Sequence, residues 1–417
     1  MVYKKWMLIG LALLAVLPAC GDSARESALP SAAEWTIREV SPSGTGVFGY
    51  TDAVGLAAHD YSVDEPDVIA NSATESEMKE GDALFVETGM GTSIGRQAEE
   101  TDSGGCGKLE TQGKEWLVNA PVATLWTGPG LGRAKDKPGQ AALADTRKWT
   151  DKLNAEDRLW LVGKLETQAL FGQPVSLVEE RGEWTKVIVL GQSTSRHTEG
   201  YPGWMPRVQL AESAIRLDHA ACPVLVIRAA TAFLFDDAEG TVPFLELSFN
   251  TRLPLLREDG ESYVVQTPTD GPKYMMKADA FTTAEREQSA PPSGERIVET
   301  AKQFLGLPYL WSGISGFGFD CSGFTHSLHS FYGIDIPRDA SDQAKQGAPV
   351  DRGALRPGDL LFFADANGKG KVHHVGMYAG DGQMIHSPNS RRSVETIALD
   401  TPAYAKEFAG ARRFIPE

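Results

Sequence analysis

The sequence predicts an α+β protein: two small β-barrels, then a domain pairing a cysteine-bearing helix with an antiparallel hairpin that carries two histidines. Three observations lead there. Residues 175–189 read as a strand, a Gly-containing turn and a second strand, and 253–265 repeat that plan about 78 residues later. Both segments place an aromatic, Trp184 or Tyr263, just after the turn, and short strands joined by polar turns suit barrels because closure removes exposed edges. Next, Asp320-Cys321-Ser322-Gly323-Phe324 reads as an N-cap and first helical turn, with Phe324, Leu328 and Phe331 on the buried side. Finally, residues 371–379 and 383–386 form strands around the turn Gly380-Asp381-Gly382.

Length and composition set the frame. The 417 residues are too many for one small domain, and 41% apolar with 23% charged residues is a globular balance. Forty Lys+Arg stand against 56 Asp+Glu, which excludes a strongly basic nucleic-acid binder. The net charge of -16 is unevenly spread: residues 21–110 hold 18 acidic and 5 basic residues, 13 of the 16 negative charges. That stretch has weak periodicity and many Ser, Thr, Gly and Glu, and reads as an acidic, largely flexible spacer.

At the N-terminus, Lys4 and Lys5 precede the apolar run from Trp6 to Leu17, followed by Leu17-Pro18-Ala19-Cys20. This is a secretory signal, too short for a comfortable membrane span. The cut site resembles the lipobox of bacterial lipoproteins, which implies lipidation of Cys20, an exported protein and an anchor on the outer face of the cytoplasmic membrane or elsewhere in the cell envelope. An oxidising compartment would let Cys106 and Cys222 pair.

Order begins near Trp116. The barrels are expected at 111–212 and 213–286, the first with a helical insertion starting at the N-cap Asp145. Residues 287–294 are a linker by composition, and the last domain runs from 295 to 417.

In that domain Cys321 lies in the first helical turn, where backbone N–H groups and the helix dipole lower a thiol pKa. A hairpin centred near residue 380 sets His386 opposite His374, with both imidazoles on one face and His373 on the other. His374 is then the candidate base and His386 its orienting partner. Residue types alone leave open an inert thiol beside core histidines, or a zinc site from Cys321, His373, His374 and His386. The latter lacks the close cysteine pairs of structural sites and the carboxylate motif of catalytic ones. His326 and His329, one helical turn apart, read as solvent-facing.

Four segments in order carry a specific resemblance: Pro308-Tyr309-Leu-Trp, Asp320-Cys-Ser-Gly-Phe, residues 355–363, and His374-Val-Gly-Met-Tyr with Met384-Ile-His386. Residues 295–417 resemble the NlpC-type, papain-like cysteine peptidases of bacterial cell walls. The resemblance implies Cys321 as nucleophile, His374 as base, His386 as third polar residue, Tyr309 with the Cys321 N–H at the oxyanion, and support from Asp320 and Ser322. It implies no cofactor and no metal. Arg338 and Gln343 match a recurrent segment and are expected either on the substrate side or as a clamp within their loop.

The two front barrels resemble bacterial SH3-like domains. With this catalytic type they resemble γ-D-glutamyl-L-diamino-acid endopeptidases acting on peptidoglycan stem peptides. In that group an acid and a tyrosine of the first barrel bind the free amine of an N-terminal L-Ala; Glu166 and Tyr201 are the matching positions. Hydrolysis of intact cross-linked wall and an idle wall-binding lipoprotein are the alternatives.

Overall fold

The computed structural model describes residues 115–213, 223–288 and 291–415. Cys20, Cys106, Cys222 and the acidic stretch 21–110 lie outside these residues.

The first sheet contains β1 Glu115–Val118, β2 Val122–Trp126, β3 Leu165–Leu170, β4 Pro174–Arg181, β5 Trp184–Leu190, β6 Gly200–Pro206 and β7 Leu210–Ser213. They pair in the order β3-β2-β6-β5-β4-β1-β7. Every strand sends a side chain into one cluster: Val118, Leu125, Ala169, Val175, Val187, Met205 and Leu210. Both edges of a flat seven-stranded sheet could not meet one core, so the sheet closes on itself.

The second sheet repeats the first. Its strands are β8 Val224–Ile227, β9 Thr231–Phe235, β10 Pro243–Ser248, β11 Arg252–Asp259, β12 Ser262–Gln266, β13 Pro272–Met276 and β14 Ala280–Thr282. The order β10-β9-β13-β12-β11-β8-β14 is that of the first sheet with every number raised by seven. It too has one core, built on Leu225, Leu234, Leu247, Leu255, Val265, Met275 and Ala280.

Between β2 and β3 the first barrel carries two short helices, α1 Thr146–Asp151 and α2 Ala155–Trp160. Asp145 caps α1 by accepting the Lys148 N–H, as the sequence predicts. The apolar positions around Leu159 divide differently from a helical stripe: α2 stops at Trp160, and Leu165 opens β3. The insertion packs Trp149, Leu153 and Leu161 against Trp126 and Trp204 of the barrel and Leu310 of the last domain.

After α3 Thr283–Gln288, the last domain begins with α4 Gly294–Lys302 and the small hairpin β15 Ile314–Ser315 and β16 Gly318–Phe319. The helix α5 Cys321–Phe331 follows, then α6 Ala340–Gln343. A six-stranded sheet completes it: β17 Ala348–Val350, β18 Leu360–Ala364, β19 Val372–Gly380, β20 Gln383–His386, β21 Glu395–Ala398 and β22 Phe408–Arg413, ordered β17-β22-β18-β19-β20-β21. α5 lies over this sheet, with Phe324, Leu328 and Phe331 sharing a core with Val375, Met377 and Ile385.

Both barrels grip the segment leading into α5. Trp311 Nε1 and Ser312 Oγ donate to the Leu165 carbonyl, and the Ile314 N–H and Ser315 Oγ donate to Gln168 Oε1. The Gly316 N–H donates to Ser248 Oγ of the second barrel. Gly316 is required here, because a Cβ would stand 1.9 Å from the Ala230 carbonyl oxygen.

Candidate active site

Asp320 accepts the Gly323 N–H at 2.6 Å and so caps α5, leaving Cys321 at the first helical position. Arg338 grips the cap from outside: Nη2 donates to Asp320 Oδ2 at 2.9 Å, and Nη1 donates to Asp320 Oδ1 and Ser322 Oγ. Its Nε donates to Thr167 Oγ1, on β3 of the first barrel. Arg338 and Gln343 therefore act as a clamp, and the expectation of a place on the substrate side is not met. They are 1% and 0% exposed, and Gln343 spends its amide on the Ser322 and Pro337 carbonyls. An arginine beneath a buried aspartate satisfies that charge, which burial alone would make costly.

The thiol also departs from expectation. Burial pushes Cys321 up to about 12 and Asp320 adds to the rise, against opposing pulls from the Val375 N–H, Arg338 and the Ser322 N–H. Position in the first turn supplies donors, but loss of solvent outweighs them. Burial likewise lowers His374 well below the ordinary imidazole value. Burial thus favours the uncharged form of both the thiol and the imidazole. Tyr309 is buried, and its pKa is raised first by burial and then by the nearby Cys321, which keeps its hydroxyl a neutral donor.

The hairpin uses Asp381 and Gly382 as its two turn residues, at φ +49° and +71°, the mirror-image turn that suits strand twist. A bulge follows, and the register runs Tyr378↔Met384 and Met377↔Ile385. Continued by one residue, His386 faces position 376 and not the expected 374. A two-residue shift preserves the face, because side chains alternate with period two. Gly376 leaves the intervening space empty; a Cβ there would sit 3.3 Å from His386 Cβ. His374 Nε2 and His386 Nδ1 therefore meet diagonally at 2.8 Å. The Tyr404 ring packs against both imidazoles. His373 points away and is exposed, as expected.

Two residues absent from the sequence reading join this row. His386 Nε2 lies 3.1 Å from Glu395 Oε1, its direct cross-strand neighbour on β21, and Arg392 donates to the Glu395 carboxylate at 2.5 Å. No local signal marks Glu395, because the loop between β20 and β21 hides the register.

His326 and His329, expected in solvent, are buried. Each hydrogen-bonds a carbonyl through Nδ1, and burial pushes both down to about 4. α5 is covered on all sides, so it has no solvent face for them.

Glu166 lies on β3 and Tyr201 on β6. Both meet Arg196, from the loop between β5 and β6. Arg196 Nη2 donates to Glu166 Oε1 at 2.9 Å, Nη1 pairs with Oε2, and Nη1 donates to the Tyr201 hydroxyl at 3.1 Å. Tyr201 in turn donates to Asp339 at 3.0 Å, and Asp339 immediately follows Arg338. Glu166, Tyr201 and Asp339 form an acidic end wall at the seam between barrel and catalytic domain, with a guanidinium already in it. Neither Arg196 nor Asp339 was foreseen: the loop around Arg196 has no periodicity, and the contacts span the domain boundary.

Among the described residues no group of three His, Cys, Asp or Glu is arranged to hold a metal ion, and no helix is long and apolar enough to cross a membrane.

Comparison with known proteins places this geometry. The model of the NlpC/P60 family matches residues 306–413, and that of the YKFC SH3b2 domain matches 227–281. A gamma-D-glutamyl-L-lysine dipeptidyl-peptidase of Bacillus cereus is 46% identical over 309 residues, 74% of this chain and 93% of that protein. One from Bacillus subtilis is 39% identical over 72% of this chain and 99% of its own. The crystal structure of an NlpC/P60 family protein from Bacillus cereus superposes with a TM-score of 0.69 at 46% identity, covering 73% of this chain and all of that one. A cysteine at the head of a buried helix, a diagonal histidine pair on the facing sheet and an SH3b domain before them identify the chain as a cysteine peptidase of the NlpC/P60 family.

Proposed function

We propose that this peptidase hydrolyses the γ-D-glutamyl–L-diamino acid bond of peptidoglycan stem peptides and requires a free N-terminal L-Ala. The observation that carries the second half is the acidic end wall, which already holds a cation. Glu166, Tyr201 and Asp339 surround the Arg196 guanidinium, and the same groups would suit the ammonium of an unblocked peptide. A blocked substrate brings no cation to exchange for the resident Arg196 guanidinium, so it gains nothing from the acid. Two relatives that match across most of this chain are named for the glutamyl–lysine bond.

In this reading the end wall fixes the L-Ala amine, and the γ-carboxamide of D-Glu reaches Cys321. His374 takes the thiol proton as the sulfur attacks. The Tyr309 hydroxyl and the Cys321 N–H stabilise the oxyanion, a contribution of a few kcal/mol in comparable sites. His374 returns the proton to the departing diamino acid amine. Water, activated by the same imidazole, then releases L-Ala-γ-D-Glu from the thioester. Asp320 and Ser322, tied to Arg338, hold the helix start in register with the sheet.

The family acts on the cell wall, which fits an exported enzyme. We place its anchor on Cys20 of the lipobox-like segment, with residues 21–110 as spacer; release of the Cys20→Ala protein from the membrane fraction would test the anchor. The bond and the amine requirement are tested with L-Ala-γ-D-Glu-L-Lys, its diaminopimelate analogue and their N-acetylated twins, with products read by mass spectrometry. Cleavage of the free-amine peptides alone supports the reading. Equal cleavage of acetylated twins removes the role of the end wall, and no Cys321-dependent cleavage of any of them refutes the bond.

A further inference from the structure

We propose that Glu395 is a positioning residue that sets the tautomer of His386 and, through it, of His374, so that the His374 Nδ1 lone pair is kept for the Cys321 proton. The three side chains come from adjacent strands β19, β20 and β21 and share one face of the sheet. His386 and Glu395 are direct cross-strand partners, and His374 reaches His386 across Gly376.

Each hydrogen bond in the row fixes the proton position of the next. Glu395, ion-paired with Arg392, is a carboxylate and can only accept. His386 Nε2 at 3.1 Å must therefore carry the hydrogen. A neutral imidazole has one N–H, so His386 Nδ1 is left as an acceptor. At 2.8 Å it takes the N–H of His374 Nε2, which leaves His374 Nδ1 bare. Burial favours the neutral form of both rings: it pushes His386 down to about 3, with Arg392 adding to the effect, and lowers His374 well below its ordinary value. When the Cys321 S–H proton moves to Nδ1, His374 becomes an imidazolium whose Nε2 hydrogen still points at His386. No proton leaves the row, and the thiolate keeps the electron pair for attack.

Without the carboxylate the order can invert. A His386 ring carrying its hydrogen on Nδ1 would donate toward His374 Nε2, and His374 would then hold its own hydrogen on Nδ1. That form cannot accept from the thiol. The relay begins at a partly exposed carboxylate, 26% accessible on its side chain, and passes through the fully buried His386 to the buried His374. Arg392 holds the carboxylate from the solvent side, and its carbonyl accepts the Tyr309 N–H, so the same loop also fixes the backbone of the oxyanion donor.

This inference rests on Cys321 and His374 acting as nucleophile and base and not on which peptide is cut, so its test needs no substrate. The full chain carrying 15N-labelled histidine would be read by long-range imidazole NMR. The rate of Cys321 alkylation by iodoacetamide would be followed from pH 5 to 9 in the wild type, Glu395→Leu and Glu395→Gln. Expected are hydrogens on Nε2 of both His374 and His386 in the wild type. In Glu395→Leu, mixed tautomers should accompany a roughly tenfold slower alkylation plateau, the scale on which partners of functional imidazoles act. Glu395→Gln keeps a carbonyl acceptor and should recover most of the rate. A hydrogen on Nδ1 of His386 in the wild type overturns the proposal whether or not the leucine variant folds. Wild-type tautomers and alkylation in Glu395→Leu do so as well.

Discussion

The two barrels have the same seven strands in the same spatial order, yet they meet the last domain in different ways. The difference lies in the connections. Between its second and third strands the first barrel carries 38 residues, 127–164, where the second carries seven, 236–242. Between the fifth and sixth strands it has nine, 191–199, against five, 267–271. Both longer connections reach the catalytic domain: Arg158 donates to the Ser390 carbonyl, Arg391 pairs with Glu156, and the Ser195 N–H donates to Asp342. The second barrel, besides its Ser248 contact to Gly316, braces the far end of α5. Phe249 stacks on Phe331 with centroids 4.6 Å apart, and Arg252 donates to the Ser330 carbonyl at 2.5 Å. A duplicated scaffold thus reaches its neighbour through long loops in one copy and through a packed buttress in the other, because loops change more freely than the strands beneath them.

Substitutions on the two sides should separate these roles. The largest effect of a single substitution is expected from Arg338→Ala, which leaves Asp320 buried without its cation and should cost about 3–5 kcal/mol of stability. Because Asp320 caps the cysteine helix, turnover should fall as well, in the fraction that stays folded. Unchanged denaturant midpoint and kcat would refute the clamp. On the buttress side Phe249→Ala should cost about 3–5 kcal/mol while leaving KM for the tripeptide near the wild-type value. A large rise in KM at unchanged stability would erase the division of labour.

A pH effect of about 6 kcal/mol by pH 4, from two buried histidines, is expected for the fold as a whole. His326 and His329 are pushed down to about 4 by burial, so the unfolded chain binds protons that the folded one refuses. Their stabilising contribution is complete above the unfolded value of about 6.5 and is lost as pH falls toward the folded value, at about 3 kcal/mol for each by pH 4. Urea titrations at pH 7 and 4.5 would check this; a histidine-to-phenylalanine pair with the same acid sensitivity would place its origin elsewhere.

Smaller effects belong to the end wall. Glu166→Gln should raise KM for the free-amine peptide about 10- to 100-fold with little change in kcat, the scale of a charge-assisted hydrogen bond. Its denaturant midpoint should barely move, since the Arg196 pair is partly exposed. An unchanged KM would show that the amine binds elsewhere. Arg196→Ala removes the resident guanidinium that competes with the substrate ammonium, so KM should fall by about threefold, well under one power of ten. A rise would make Arg196 a substrate contact and not a competitor.

Much of this was legible in the chain itself. The N-caps Asp145 and Asp320, the strand–turn–strand repeat and the Asp381-Gly382 turn depend on neighbours a few residues away, so short-range chemistry suffices to read them. The pairing of His374 with His386 was reachable too, because an error of two residues in register leaves a side chain on its face. Other features depended on what covers a residue, which no local pattern records. The sequence offered a helix-start thiol and an acid–tyrosine pair; burial raised the thiol and placed Arg196 against the pair. His326 and His329 follow the spacing of a surface stripe, but α5 is enclosed by the sheet and the second barrel. Arg338 and Gln343 lie in a polar segment and yet are buried, since the seam with the first barrel closes over them. The sequence alone therefore determined which residues could do the chemistry and which local elements carry them. Only the tertiary structure decided their protonation, their partners and their access to solvent, because those quantities are set by the dielectric and the charges that distant segments bring together.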